Sequence, residues 1–154
     1  MLTPKTPTIE IKSTIGAVHV LPFPDNHFDV VTLQFASRHL RVREVFTEIL
    51  RVLKPETCNN PETLGLYGAI HKRLWEINPK PQLLGIGITA YARGFALKQD
   101  HYTGINFAFL LDLRAREHLK AGMRDDAITD HTLARRMRED VMKLAGAHLE
   151  RLVD

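Results

Sequence analysis

The chain has 154 residues, 44% of them apolar and 25% charged, with a formal net charge of +3 at pH 7. That is the size and balance of one soluble globular domain, and so small a charge, with no basic stripe interleaved with aromatics, argues against a nucleic-acid binder. There is no run of about 18 apolar residues to span a membrane and no apolar core of signal-peptide type, while the one cysteine, Cys58, allows neither an internal disulfide nor a thiolate cluster and fits the cytoplasm.

The first elements read as strand, loop and helix. Residues 8–12 alternate, residues 17–20 are short and β-branched, and residues 29–35 (Asp29-Val30-Val31-Thr32-Leu33-Gln34-Phe35) are the best strand candidate. Between them lies Leu21-Pro22-Phe23-Pro24-Asp25-Asn26, where Asp25-Asn26 is good turn chemistry. Val42, Val45, Phe46, Ile49, Leu50 and Leu53 then recur at helical spacing and give a helix one apolar face.

The grammar changes near residues 56–60, and helices alone follow. Asn60-Pro61-Glu62 is a helix start, with a capping side chain, a proline in the first turn and an acid at the positive dipole end. Leu64, Tyr67, Ile70, Leu74 and Ile77 form its stripe, and Asn78-Pro79-Lys80-Pro81 ends it. Leu84, Ile88, Tyr91 and Phe95 make a second stripe. Asp100 caps a third helix through Ile105, Phe109 and Leu113, with Gly122 as its stop. Leu133, Met137, Val141, Leu144, His148 and Leu152 make a fourth, whose opposite side (Arg135, Arg138, Glu139, Lys143, Glu150) reads as a solvated face. Gly65, Gly68, Ala69, Gly85, Gly87 and Ala90 are small. A helix glycine costs about 1 kcal/mol relative to alanine, tolerable where it lets two backbones approach. Four helices on short connections predict two stacked hairpins.

Leu21-Pro22-Phe23-Pro24-Asp25, Phe28-Asp29-Val30-Val31 and Leu53-Lys54-Pro55 occur in order over residues 17–55. This segment resembles the middle of a class I S-adenosylmethionine-dependent methyltransferase. The resemblance implies a Rossmann-like β/α fragment, with Leu21, Phe23 and Asp29 as cofactor-binding candidates and Asp25, His27 and His39 as acid–base candidates. Departures weigh against activity. Gly16 stands where the family often has an adenine-binding acid, Glu56-Thr57 replaces two glycines, and the sixteen residues before Ala17 contain no glycine-rich loop. We therefore expect no cofactor, with S-adenosylmethionine as the alternative.

Residues 57–113 resemble a tetratricopeptide-like region, the TRAFs-binding domain. The resemblance is carried by Asn60-Pro61-Glu62-Thr63-Leu64-Gly65, Gly68-Ala69-Ile70-His71-Lys72-Arg73-Leu74-Trp75, Tyr91-Ala92-Arg93-Gly94-Phe95 and Tyr102-Thr103-Gly104-Ile105-Asn106. It implies protein–protein contact and regulation. Tyr102 and Asn106, four apart, share a helix face toward a ligand or a neighbouring repeat; alternatively, Tyr102 packs between helices and Asn106 bonds backbone. Trp75 is core or an interface anchor. Trp75, Tyr91, Tyr102 and Asn106 are the interaction candidates, and Lys72, Arg73 and Arg93 form a candidate anion site or a solvated face. The eight histidines show no metal-ligand spacing.

The expected fold is thus mixed and mostly α. A truncated methyltransferase-like β/α segment (residues 1–56) precedes a tetratricopeptide-like domain of about four helices (residues 57–154). The expected function is a non-catalytic protein-interaction or regulatory module; the alternative is a methyltransferase-related protein active only with the rest of its site supplied. A protein partner is expected, nucleic acid and membrane are not, and open end faces make self-association plausible.

Overall fold

The computed structural model describes residues 20–28, 42–53 and 58–153. They contain helices α1 (Val42–Val52), α2 (Pro61–Ile77), α3 (Pro81–Lys98), α4 (His101–Lys120) and α5 (Arg124–Val153). The last four are the helices expected after residue 57. Their punctuation is local chemistry. The Asn60 side chain accepts the Thr63 amide at 3.0 Å. Asp100 accepts the Thr103 amide at 2.8 Å and its hydroxyl at 3.0 Å. Pro81 opens α3 within four residues of the end of α2. Gly122, at φ 77°, makes the turn between α4 and α5 that a side chain would strain.

Packing runs from neighbour to neighbour. Helix α3 lies against α2 and α4, α4 against α5, and α2 scarcely touches α4. Helices α4 and α5 are antiparallel, since Gly104 meets Val141 while Arg114 meets Asp130. The main core joins Leu84, Ile88 and Tyr91 of α3 to Ala108, Leu110 and Leu111 of α4 and Ala134 of α5. Small residues set the α2–α3 approach. A Cβ on Gly68 would stand 2.8 Å from the Tyr91 ring, and one on Gly87 would stand 2.8 Å from Leu110 and 3.5 Å from the Gly68 carbonyl. Gly85 departs from the expectation of close approach: a Cβ there meets nothing within 4 Å. It sits on the side of α3 turned toward a surface cavity.

A second cluster joins the two parts of the chain. Val45, Ile49 and Leu53 pack with Ile70 of α2, bordered by Phe46, Leu50, Leu66 and Leu74. Phe28 forms a parallel bridge with Leu53. Among the described residues this bridge is isolated, and no strand or Rossmann-like sheet is present. The strand candidates at residues 8–12 and 29–35 lie outside the described residues, as do residues 17–19 of the third. The α part of the expected fold stands; the β/α part is not seen in the described residues.

Candidate functional site

Arg51, in the last turn of α1, organises the loop that precedes it in sequence. Its Nε donates to Glu48 Oε1 at 2.9 Å. Nη1 donates to the Phe23 carbonyl and to Asp25 Oδ1, each at 2.7 Å. Nη2 donates to the Leu21 carbonyl at 2.9 Å and to Glu48 Oε2 at 2.8 Å. That uses the five N–H groups a guanidinium has. Glu48 also accepts the Leu21 amide at 2.9 Å. The Arg51 hydrogen bond, then the Leu21 amide, pulls the Glu48 carboxyl from 4.5 down to about 2. Of the methyltransferase-type candidates, Leu21 and Phe23 have their carbonyls, and Asp25 its carboxylate, bonded to Arg51. His27 stacks on Phe23 with centroids 6.0 Å apart and meets Phe28 edge-on at 4.7 Å. Asp29 and His39 lie outside the described residues.

The helical candidates converge on a cleft of 230 Å³ lined by Ala69, Lys72, Arg73 and Glu76 of α2, Tyr91 of α3, and Tyr102 and Asn106 of α4. Tyr102 is 47% exposed, yet its ring covers Gly65, whose Cβ would stand 3.1 Å from it. Its edge meets the Tyr91 ring, 6.1 Å between centroids. Tyr91 is 1% exposed, and burial, reinforced by its neighbour Tyr102, pushes its phenol well above the usual range. The Asn106 side-chain NH2 donates to the Tyr102 carbonyl at 2.9 Å, leaving its own oxygen as an acceptor. Lys72 Nζ lies 4.3 Å from the centroid of the Phe109 ring, a cation–π contact. Ile105 and Phe109 continue the exposed apolar row of α4 beyond Tyr102. Trp75 stays apart, half-buried against the main core. Arg93 does not join Lys72 and Arg73. It lines a separate cavity of 370 Å³ with Leu64, Tyr67 and Ile86, and its guanidinium donates to the Cys58 carbonyl at 2.9 Å.

The family described as Tetratricopeptide Repeats-Sensor matches residues 11–111. The chain belongs to that family. The matched residues take in α1, the α2–α3 hairpin and the first half of α4. A shorter likeness is to methyltransferases. The chain is 56% identical over 36 residues to the ubiquinone/menaquinone biosynthesis C-methyltransferase UbiE of Azotobacter vinelandii, 58% over 36 residues to that of Ectopseudomonas mendocina, and 50% over 36 residues to that of Shewanella pealeana. Each match takes in 23% of this chain and 14% of the enzyme, so the chain covers a small part of those relatives. No solved structure matches the chain.

One feature of the helical stack, beyond the residues the family matches, has no signature in the sequence. The α4–α5 seam carries two ionic clamps. Asp130, 3% exposed, accepts two hydrogen bonds from Arg114 at 2.8 and 2.7 Å, and His118 Nδ1 lies 3.3 Å from the same carboxylate. Asp112 pairs with His131 at 2.9 Å and with Arg138. Burial pushes the Asp112 carboxyl up, but Arg138 and His131 outweigh it and hold it below its usual range. Arg138 therefore bridges helices and does not belong to the solvated face of α5, whereas Arg135 pairs along the surface with Glu139. No local spacing signals such pairs, because they join residues 12 to 26 apart. Among the described residues no three His, Cys, Asp or Glu side chains are grouped to hold a metal. No described helix is long and apolar enough to cross a membrane.

Proposed function

We propose that the protein is a non-catalytic interaction or regulatory module that receives a partner protein on its α2–α4 face. The observation that carries this reading is the cleft where half-exposed Tyr102 stands beside Asn106 and Lys72, with Ile105 and Phe109 exposed on the same side of α4. A tyrosine and apolar side chains beside cations are the composition of a binding surface. The resemblance of residues 57–113 to a TRAFs-binding domain supports regulation by protein contact and names no partner. The cytoplasm suits a chain with one reduced cysteine.

The methyltransferase-like segment is, on this reading, a remnant. Gly16 and Glu56-Thr57 depart from the cofactor pattern, and Arg51 bonds the Leu21, Phe23 and Asp25 oxygens. Those departures and engaged oxygens support the expectation of no cofactor. The alternative is that cofactor binding or methyl transfer, as in the ubiquinone/menaquinone enzymes, occurs where additional protein supplies the rest of a site. Calorimetric titration of the purified chain with S-adenosylmethionine separates the two: micromolar binding overturns the non-catalytic reading. The interaction surface is tested with a photo-crosslinking amino acid at Ile105 and, as control, at exposed Met142, in host cells. A discrete protein adduct specific to position 105 and lost in Lys72→Glu is expected. Equal adducts at both positions refute the surface.

A further inference from the structure

Helix α1 has two unlike faces. Val45 and Ile49, 0% and 2% exposed, and Leu53 lie on the Leu66–Ile70–Leu74 side of α2. The other side carries exposed Glu44 and Thr47, and the Glu48–Arg51 pair. Among the described helices α1 touches α2 alone. In a stack where each helix packs mainly on its neighbours, α2 without α1 would present an apolar side to water. Terminal units of such stacks answer this with an apolar inner and a polar outer face. Helix α1 has both.

The loop before it completes the element. An 11-residue helix is marginal by itself, and its last carbonyls lack partners within the helix. Here the Asn26 amide donates to the Arg51 carbonyl, and the His27 and Phe28 amides donate to the Val52 carbonyl, each at 2.8 Å. Arg51 draws the Leu21 and Phe23 carbonyls onto the same end. The family match, residues 11–111, runs without a break from this segment through α2 and α3 into α4.

We propose that the methyltransferase-like segment works as the cap that closes the α2 end of the helical stack. Residues 56–57 then mark a junction of ancestry inside one folded unit, and the methyltransferase-derived helix shields α2 from water and from other copies of the chain. This inference rests on the segment being non-catalytic. That reading falls to cofactor titration, whereas the cap is read from the protection of α2, so the two fail separately.

The test is hydrogen exchange by mass spectrometry on the full chain, with sedimentation velocity on the same samples. Ile49→Ala loosens the inner face, and Met142→Asp, at a 70% exposed position of α5, is the control. The cap predicts exchange in α2 at least about tenfold faster in Ile49→Ala, with α4 and α5 protected as before. The more disruptive Ile49→Asp should add concentration-dependent self-association, and Met142→Asp should change neither readout. Unchanged α2 exchange in Ile49→Ala would overturn the proposal. So would equal loss of protection in α2, α4 and α5, which would make α1 part of a single indivisible core.

Discussion

Replacing Gly68 and Gly85 by alanine, one at a time, should shift stability in opposite directions. Both lie inside helices, so each replacement removes about 1 kcal/mol of backbone penalty. At Gly85 nothing lies within 4 Å of the new methyl, so the gain is retained: about +1 kcal/mol, or roughly 2–4 °C in Tm for a chain of this size. At Gly68 the methyl meets three atoms of the Tyr91 ring at 2.8, 2.8 and 3.0 Å. Tyr91 is 1% exposed and its ring meets Tyr102, so it cannot withdraw without disturbing that contact. Overpacking of this kind costs about 1–3 kcal/mol. The net for Gly68→Ala is then a loss of up to about 2 kcal/mol. Urea and thermal unfolding followed by circular dichroism at 222 nm give both values. A stabilised Gly68→Ala would refute the close packing of α3 on α2, and a destabilised Gly85→Ala would refute the open space beside Gly85.

Four further outcomes are expected. Arg114→Ala leaves the buried Asp130 carboxylate without its two hydrogen bonds and should lower unfolding stability by about 3 kcal/mol, the low end for a broken buried pair, because Arg114 is one-third exposed. Arg135→Ala, which loses only an exposed contact to Glu139, should cost under about 0.5 kcal/mol in the same chemical denaturation. Because the folded Glu48 carboxyl is pulled from 4.5 to about 2, its contribution is fully present above pH 4.5 and is lost as pH falls through about 2. The Leu21 amide resonance should move across that window, and Glu48→Gln should abolish the dependence; movement centred above pH 6 would contradict the assignment. Asp100→Ala removes the cap bonds to the Thr103 amide and hydroxyl and should cost about 1 kcal/mol in thermal unfolding.

What could be read from the sequence was what depends on near neighbours. Asn60, Asp100 and Gly122 act within four residues of themselves, so their roles as caps and stop are legible in the local sequence. The α1 stripe and the four later helices follow from the same local periodicity. The glycines were half legible. Composition showed that they were small, but only the placement of Tyr91 and Leu110 separates Gly68 and Gly87 from open Gly85. The Arg51 clasp spans 26 to 30 residues, and the Arg114–Asp130 clamp joins two helices. Neither follows a spacing rule, since the partners meet only after the helices have docked. Tyr91, Tyr102 and Asn106 lie along one cleft, whereas Trp75, expected with them, packs against the main core. Arg93 was misgrouped with Lys72 and Arg73, because its side of α3 is fixed by packing.

The order of contacts along the stack also bears on how such a chain arises. In a barrel or sandwich each element meets several others, and foreign sequence must fit them all. Here a helix added at the α2 end would have one neighbour to satisfy, as Val45, Ile49 and Leu53 do. Helices of α/β enzymes already carry an apolar face, because they cover a sheet. A methyltransferase helix joined to this end by recombination would arrive pre-adapted to the seat it takes. Linear helical stacks are therefore permissive hosts for gene fusion, and abrupt changes of kinship along their sequences are a natural product of their architecture.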